Sequence, residues 1–228
     1  EELGDKYGMG ISLVNLGGVY IEKGDHDTAL EYYERSLKIQ EELCSKRGIG
    51  ISLGNIGRVY IKKGDHDTAL DYYERSLKIR EELGDKYGMG LNLMSIGDVY
   101  GGNGDLDTSL DYYERSLKIR EELGDKSGLG VGLGNIGLVF HAKGDYEKAL
   151  GYYDRSLKIK EELGYKRGVG ICLSNIGLYY NDIGDYEKSL DYLEKSLSIQ
   201  EEIGLKEGYL MLETTTYLYL TYKNLGRE

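Results

Sequence analysis

The sequence predicts an all-α protein, a solenoid of helical hairpins with five full repeats and a closing helix. One observation is a period of 40 residues, since related six-residue segments begin at positions 15, 55, 95, 135 and 175. Another is that apolar residues recur at three- or four-residue spacing in two stretches of each repeat, which indicates two amphipathic helices. A Gly-Asp pair separates the stretches, with Gly suited to ending one helix and Asp to capping the next.

The repeats cover about residues 6–45, 46–85, 86–125, 126–165 and 166–205. A period of 40 also suits propeller blades or HEAT-type helical pairs, but blades need four short alternating strands. The helical stripes of the first repeat are Leu13, Leu16 and Tyr20, then Ala29, Tyr33 and Leu37. We expect one solenoid domain over 1–228, and a fragment of a longer chain because the sequence opens on EELGDK, the end of a repeat.

The closing helix is predicted at about 206–224. Leu218, Tyr222 and Gly226 restore the repeat pattern two residues late, and Tyr219 stands where earlier repeats have Gly. A helix without a following partner has room for that Tyr, so we expect this helix to cover the last repeat. A chain boundary within a repeat is the alternative explanation.

The composition of the chain excludes some classes of binding partner. The net charge of -11 would repel the phosphate backbone of a nucleic acid. The sequence has no apolar run near the ~20 residues that a membrane span needs, and it shows no signal segment. We therefore expect a cytoplasmic protein with no nucleic-acid or membrane partner, in which Cys44 and Cys172 remain reduced.

The pattern within each repeat resembles the tetratricopeptide repeat. The matching residues of the first repeat are Leu13, Leu16, Gly17, Tyr20, Gly24, Ala29, Tyr33 and Ser36. Leu13 replaces the usual Trp, and Glu41 stands where the shorter family repeat has a helix-ending Pro. The long variant resembles the repeats of Pins-type spindle adaptors and of peptide-pheromone receptors. The resemblance implies a right-handed superhelical solenoid whose first helices line a concave groove.

In this family an Asn on the groove face of the first helix can hydrogen-bond the main chain of an extended peptide. The corresponding residues here are Asn15, Asn55, Asn135 and Asn175, with Ser95 interrupting the series. A carboxamide supplies both donor and acceptor, so the series could read peptide backbone. The alternative is that these side chains bond neighbouring helices or water.

Variation among the repeats also points to the first helices, whereas the second helices are nearly constant. The further candidate groove residues are Arg58, Lys62, Asp98, Leu138, His141, Leu178, Asn181 and Asp182. Neutral drift on a solvated face is the alternative. We expect a scaffold that binds a protein or peptide segment; a structural module that self-associates end to end is the alternative function.

The sequence predicts no enzymatic activity, cofactor or metal site. The GxGxxG pattern at Gly132, Gly134 and Gly137 lies in a predicted helix with no preceding strand. His26 and His66 precede Asp residues, but later repeats carry Leu or Tyr at their position, so we expect both to pack against their hairpins. No nucleophile, base and orienting acid can be assembled from the remaining residues.

Overall fold

The computed structural model describes residues 2–204 and 209–226, with side chains from 6 to 204 and from 210 to 226. Over those residues it has eleven helices and no strand, as predicted. The helices are α1 (Glu2–Glu22), α2 (His26–Glu42), α3 (Lys46–Lys63), α4 (His66–Leu83), α5 (Lys86–Gly102), α6 (Leu106–Leu123), α7 (Lys126–Ala142), α8 (Tyr146–Glu162), α9 (Lys166–Asp182), α10 (Tyr186–Glu202) and α11 (Tyr209–Asn224).

The chain divides into two compact units, and α6 contains the boundary between them. The amino-terminal unit is Glu1–Ile119 and the carboxy-terminal unit is Arg120–Glu228. In the first unit α1 packs on α2 and α3 on α4, while in the second α7 packs on α8 and α9 on α10. These consecutive hairpins confirm the predicted fold class.

Glycine and aspartate define the helix ends as the sequence indicates. Gly64 ends α3 with a left-handed φ of 77°, a conformation that Gly adopts without steric cost. Asp65 then caps α4, its Oδ1 accepting a hydrogen bond from the Thr68 backbone N–H at 3.1 Å. Cys44 is the one described non-glycine residue with positive φ, at 51°, where the next repeat has Gly84. The turns are therefore short and their direction is fixed.

In the first four repeats the central glycine of the first helix allows a tyrosine ring of the second helix to pack directly on the backbone, and in the fifth Leu193 packs there instead. A Cβ added to Gly57 would lie 3.0 Å from the ring of Tyr73, which is buried. The same relation joins Gly97 to Tyr113 at 2.7 Å. Any larger side chain would force the two helices apart, so the glycine allows their close approach.

A buried hydrogen bond inside each hairpin joins a serine hydroxyl to a glycine carbonyl. Ser36 Oγ donates to the carbonyl oxygen of Gly10 at 2.9 Å. The equivalent bonds are Ser76 to Gly50, Ser116 to Gly90, Ser156 to Gly130 and Ser196 to Gly170. Buried hydroxyls need such partners, so this bond fixes the register of the two helices in every repeat.

The glycines near the start of each first helix, which helix propensity alone does not explain, make room for a polar side chain from the preceding helix. A Cβ at Gly88 would lie 1.6 Å from Arg80 Nη1, and one at Gly48 would lie 2.1 Å from Gln40 Oε1. The residues that cross this space in successive repeats are Gln40, Arg80, Arg120 and Lys160. The glycines thus let one helix reach across the next.

The closing helix is α11, and Lys206, where we expected it to begin, lies outside the described residues. Thr214, Leu218 and Thr221 of α11 are buried, and α11 contacts α10 and α9. Tyr219 is 66% exposed, so its side chain has the room that we expected on this face of the closing helix.

Among the described residues, no helix combines the length and the apolar character needed to cross a membrane. Both cysteines are free thiols; Cys44 is exposed and Cys172 is buried.

Candidate functional site

A pocket of about 400 Å³ opens in the amino-terminal unit, on residues of α3, α4 and α5. It lies within the size range of ligand sites, roughly 300 to 1,000 Å³. The pocket contains three of the predicted groove residues, Asn55, Arg58 and Ser95. The remaining lining residues are Arg47, Ile51, Gly54, Tyr73, Arg80, Asp85, Tyr87, Leu91 and Asn92. We call this site the α3–α5 pocket.

The predicted asparagine series differs from repeat to repeat in its contacts. Asn55 is half-buried and forms no hydrogen bond to another residue that the structure describes. The same holds for the exposed Asn15 and the half-buried Asn175, whereas Asn135 has an intramolecular partner. Three of the four carboxamides therefore keep their donors and acceptors available to a ligand or to water.

Arg58 and Asp98 occupy equivalent positions on α3 and α5, and each meets a tyrosine hydroxyl. Arg58 Nη2 donates to the Tyr33 hydroxyl at 3.1 Å, and the Tyr113 hydroxyl donates to Asp98 Oδ1 at 2.6 Å. Asp98 is solvent-accessible, yet desolvation by the surrounding protein raises the pKa of its carboxyl above 3.8, and the Tyr113 hydrogen bond opposes that shift. An accessible cation on α3 is therefore replaced by an accessible carboxylate at the equivalent position of α5.

Arg80 is a site residue that the sequence analysis missed. Its side chain is only 11% exposed, its Nε donates to Ser76 Oγ at 3.2 Å, and its Nη1 lies 3.3 Å from Asp85 Oδ2. Asp85 also caps α5, since its Oδ1 accepts a hydrogen bond from the Gly88 backbone N–H. Every repeat has a polar residue at this place, and that recurrence is the signal in the sequence that points to it.

Lys62 and the candidates of the carboxy-terminal unit lie outside this pocket. Lys62 is exposed on α3, Leu138 is 43% exposed, and Leu178 is half-buried. Each is accessible enough to contact a partner.

Three other candidates meet near the ends of α7, α9 and α11. His141 Nε2 lies 3.0 Å from Asp182 Oδ2, an ion-pair distance that lacks the alignment of a hydrogen bond. Asn181 Oδ1 lies 3.4 Å from both Thr221 Oγ1 and Asn224 Nδ2 of α11. Through these contacts Asn181 and His141 help to hold the helices of the carboxy-terminal unit together.

The histidines near the hairpin turns lie in different surroundings. His66 Nδ1 is 2.7 Å from Asn103 Oδ1, whereas His26 Nδ1 is buried with no hydrogen-bond partner among the described residues. No group of three His, Cys, Asp or Glu side chains in the described part of the chain could hold a metal ion.

Comparison with known families decides the classification. The tetratricopeptide repeat pattern matches residues 8–82, 89–162 and 130–202, which together span most of the chain. The chain belongs to the tetratricopeptide repeat family. A comparison with curated proteins finds no match.

Solved structures place this tetratricopeptide repeat chain among known solenoids by fold. BtubC (BKLC) from P. vanneervenii matches with a TM-score of 0.75 at 21% identity, over 87% of this chain and 83% of that one. PH0952 from Pyrococcus horikoshii, a signal transduction ATPase with a tetratricopeptide repeat sensor, matches with a TM-score of 0.78 at 18% identity. That match covers 98% of this chain but 34% of PH0952.

The quorum sensor NprR from B. thuringiensis, in its apo form, matches with a TM-score of 0.73 at 18% identity. The match covers 96% of this chain and 60% of NprR. At these identities the three structures establish a shared fold.

Proposed function

We propose that this chain is a non-enzymatic interaction module that binds an extended segment of a protein or peptide on its first helices. The observation that carries the proposal is the α3–α5 pocket, because it contains Asn55 and Ser95 and is large enough for peptide side chains. The tetratricopeptide repeats and the likeness to a quorum sensor and to a sensor-bearing ATPase support the same class of function.

The half-buried carboxamide of Asn55 is the main binding group in this proposal. It has no hydrogen-bond partner among the described residues, so a peptide main chain can pair with both its donor and its acceptor. Ile51 and Leu91 supply apolar walls beside it. A polar group framed by apolar side chains orients a ligand while the walls exclude water.

Binding is tested with a phage-displayed library of random peptides, followed by fluorescence anisotropy on the selected sequences. We expect Asn55→Ala to weaken the selected peptides by about tenfold, the loss of roughly 1.4 kcal/mol that one to two hydrogen bonds represent. N-methylation of the peptide backbone opposite Asn55 should weaken binding as much, because it removes a main-chain donor.

Asn103→Ala is the control, since Asn103 is exposed at the end of α5, does not line the pocket and contacts His66 instead. It should leave the affinity unchanged. If the library yields no binder, or if Asn55→Ala binds every selected peptide as tightly as the unaltered protein does, the proposed site is wrong.

A second candidate function, self-association, is favoured by the apolar face that α1 exposes in the part of the chain that the structure describes. Leu16 and Val19 are 43% and 48% exposed, whereas Ile56 and Val59, at the same positions of the next repeat, are fully buried. Light scattering over a concentration series distinguishes the two functions: growth of the particle with concentration supports assembly, and Val19→Glu should then abolish that growth.

A further inference from the structure

The α3–α5 pocket is basic in a chain whose net charge is -11. It holds three guanidinium groups, those of Arg47, Arg58 and Arg80, and a single carboxylate, Asp85. Arginine presents planar, paired donors that match carboxylate and phosphate groups, so such a cluster in a pocket points to an anionic ligand group.

The one carboxylate of the pocket is already shared between two partners. Asp85 accepts a hydrogen bond from the Gly88 backbone N–H as the cap of α5, and it pairs with Arg80. Arg47 has no acidic partner within ion-pair distance among the described residues, and Arg58 meets only the neutral hydroxyl of Tyr33. The guanidinium groups of Arg47 and Arg58 can therefore pair with an anionic group of a ligand.

The mutual repulsion of two arginines supports the same conclusion. Burial lowers the pKa of Arg80, the carboxylate of Asp85 opposes that shift, and the charge of Arg47 adds to the lowering. Arg47 therefore lies close enough for its field to act on Arg80. An anion placed between the two guanidinium groups would relieve this repulsion.

The arrangement is particular to the second repeat. Its pairing of Arg80 with Asp85 recurs as Arg120 with Asp125, so that pair by itself is part of the repeat scaffold. The residues equivalent to Arg47 and Arg58 are Tyr87 and Asp98 in the third repeat, Ser127 and Leu138 in the fourth, and Arg167 and Leu178 in the fifth. Among the second to fifth repeats, only the second adds two exposed arginines to this pair.

We propose that the α3–α5 pocket takes an anionic side chain of the bound peptide, a carboxylate or a phosphorylated hydroxyl, where Arg47 and Arg58 leave their charges without an acidic partner among the described residues. The inference rests on the proposed function, because the anion is one position of the peptide. Asp98, next along the first-helix face in the following repeat, repels a second anion there and so sets the spacing of charge in the ligand.

The test uses three random peptide libraries whose central position is fixed as Gln, Glu or phosphoserine, passed over the immobilised chain. We expect the unaltered protein to retain the Glu or phosphoserine library about tenfold better than the Gln library at low salt, and less so as salt rises. The order of Glu and phosphoserine identifies which anion the site takes.

The double variant Arg47→Gln with Arg58→Gln should lose this preference, and both side chains are exposed, so the fold should persist. Arg75→Gln, an exposed arginine of α4 that stacks on Tyr72, is the matched control and should keep the preference. A preference that survives in the double variant would overturn the assignment to this pocket.

Equal retention of all three libraries would leave the proposed peptide binding standing while removing the anion site. Retention of none of the libraries would overturn both proposals together.

Discussion

The junction between α4 and α5 and the junction between α8 and α9 occupy the same place in the repeat, but they stabilise a buried cation differently. In the first, Arg80 pairs with the carboxylate of Asp85, which also caps α5. In the second, Lys160 is 6% exposed and its Nζ lies 3.3 Å from the sulfur of Cys172. The repeat position therefore requires a long polar side chain, but it does not require a carboxylate partner.

The difference extends to the helix caps. Tyr165 stands at the cap of α9 and makes no side-chain cap hydrogen bond, whereas Asp85 caps α5 through its side chain. The Tyr165 ring instead covers Gly168, where a Cβ would lie 2.4 Å from it. At the first junction Asp85 both pairs with Arg80 and caps α5. At the second junction Tyr165 does neither, and the hairpins still form.

The largest expected effect is at the first junction. Asp85→Ala leaves Arg80 without its counter-charge and removes the cap of α5, so we expect the free energy of unfolding to fall by about 3 kcal/mol. Urea unfolding followed by circular dichroism measures the change. Asp65→Ala removes only a cap, that of α4, and should cost about 1 kcal/mol. Equal losses in the two variants would contradict a stabilising role for the Arg80 pair.

An intermediate effect of opposite sign is expected at the second junction. Tyr165→Asp would introduce both the missing cap of α9 and a carboxylate near Lys160, and we expect the free energy of unfolding to rise by about 1 kcal/mol. Tyr165→Ala removes the ring and adds no carboxylate. Comparing the two variants therefore separates the effect of losing the ring from the effect of gaining the aspartate. If Tyr165→Asp unfolds as readily as Tyr165→Ala, the junctions differ in more than the cap.

The smallest effect concerns Asp98, whose carboxylate accepts a hydrogen bond from the Tyr113 hydroxyl. Because its pKa is raised above 3.8 in the folded chain, folding is less favoured once the group ionises. Asp98→Asn should therefore raise the melting temperature at neutral pH. The gain should shrink as the pH falls through the folded pKa and vanish below 3.8, where the carboxyl is protonated in both states.

Melting curves of the two proteins across this pH range check the prediction. A gain that stays constant with pH would mean that the substitution acts through packing against Tyr113 and not through charge.

The fold could be predicted because the same pattern recurs in every repeat. The 40-residue period, the apolar stripes of the two helices and the Gly-Asp turns all indicate the same helical hairpin. The sequence also placed Asn55 and Arg58 on one face, since helical spacing alone determines which residues share a face. Arg80 was missed because its long side chain leaves the second helix and reaches across Gly88 of the next repeat. Such a reach depends on the packing of two helices, which spacing along one helix does not reveal.

The Arg80–Asp85 junction also has a consequence for how the number of repeats can change. Residues 80–86 and 120–126 have the same sequence, REELGDK. A deletion of residues 85–124 would join Gly84 to Asp125, and Arg80 would then be followed by the residues that follow it now. The edited gene would lose a whole repeat without creating a new junction sequence, so unequal crossing-over between these copies could lengthen or shorten the array while keeping its reading frame.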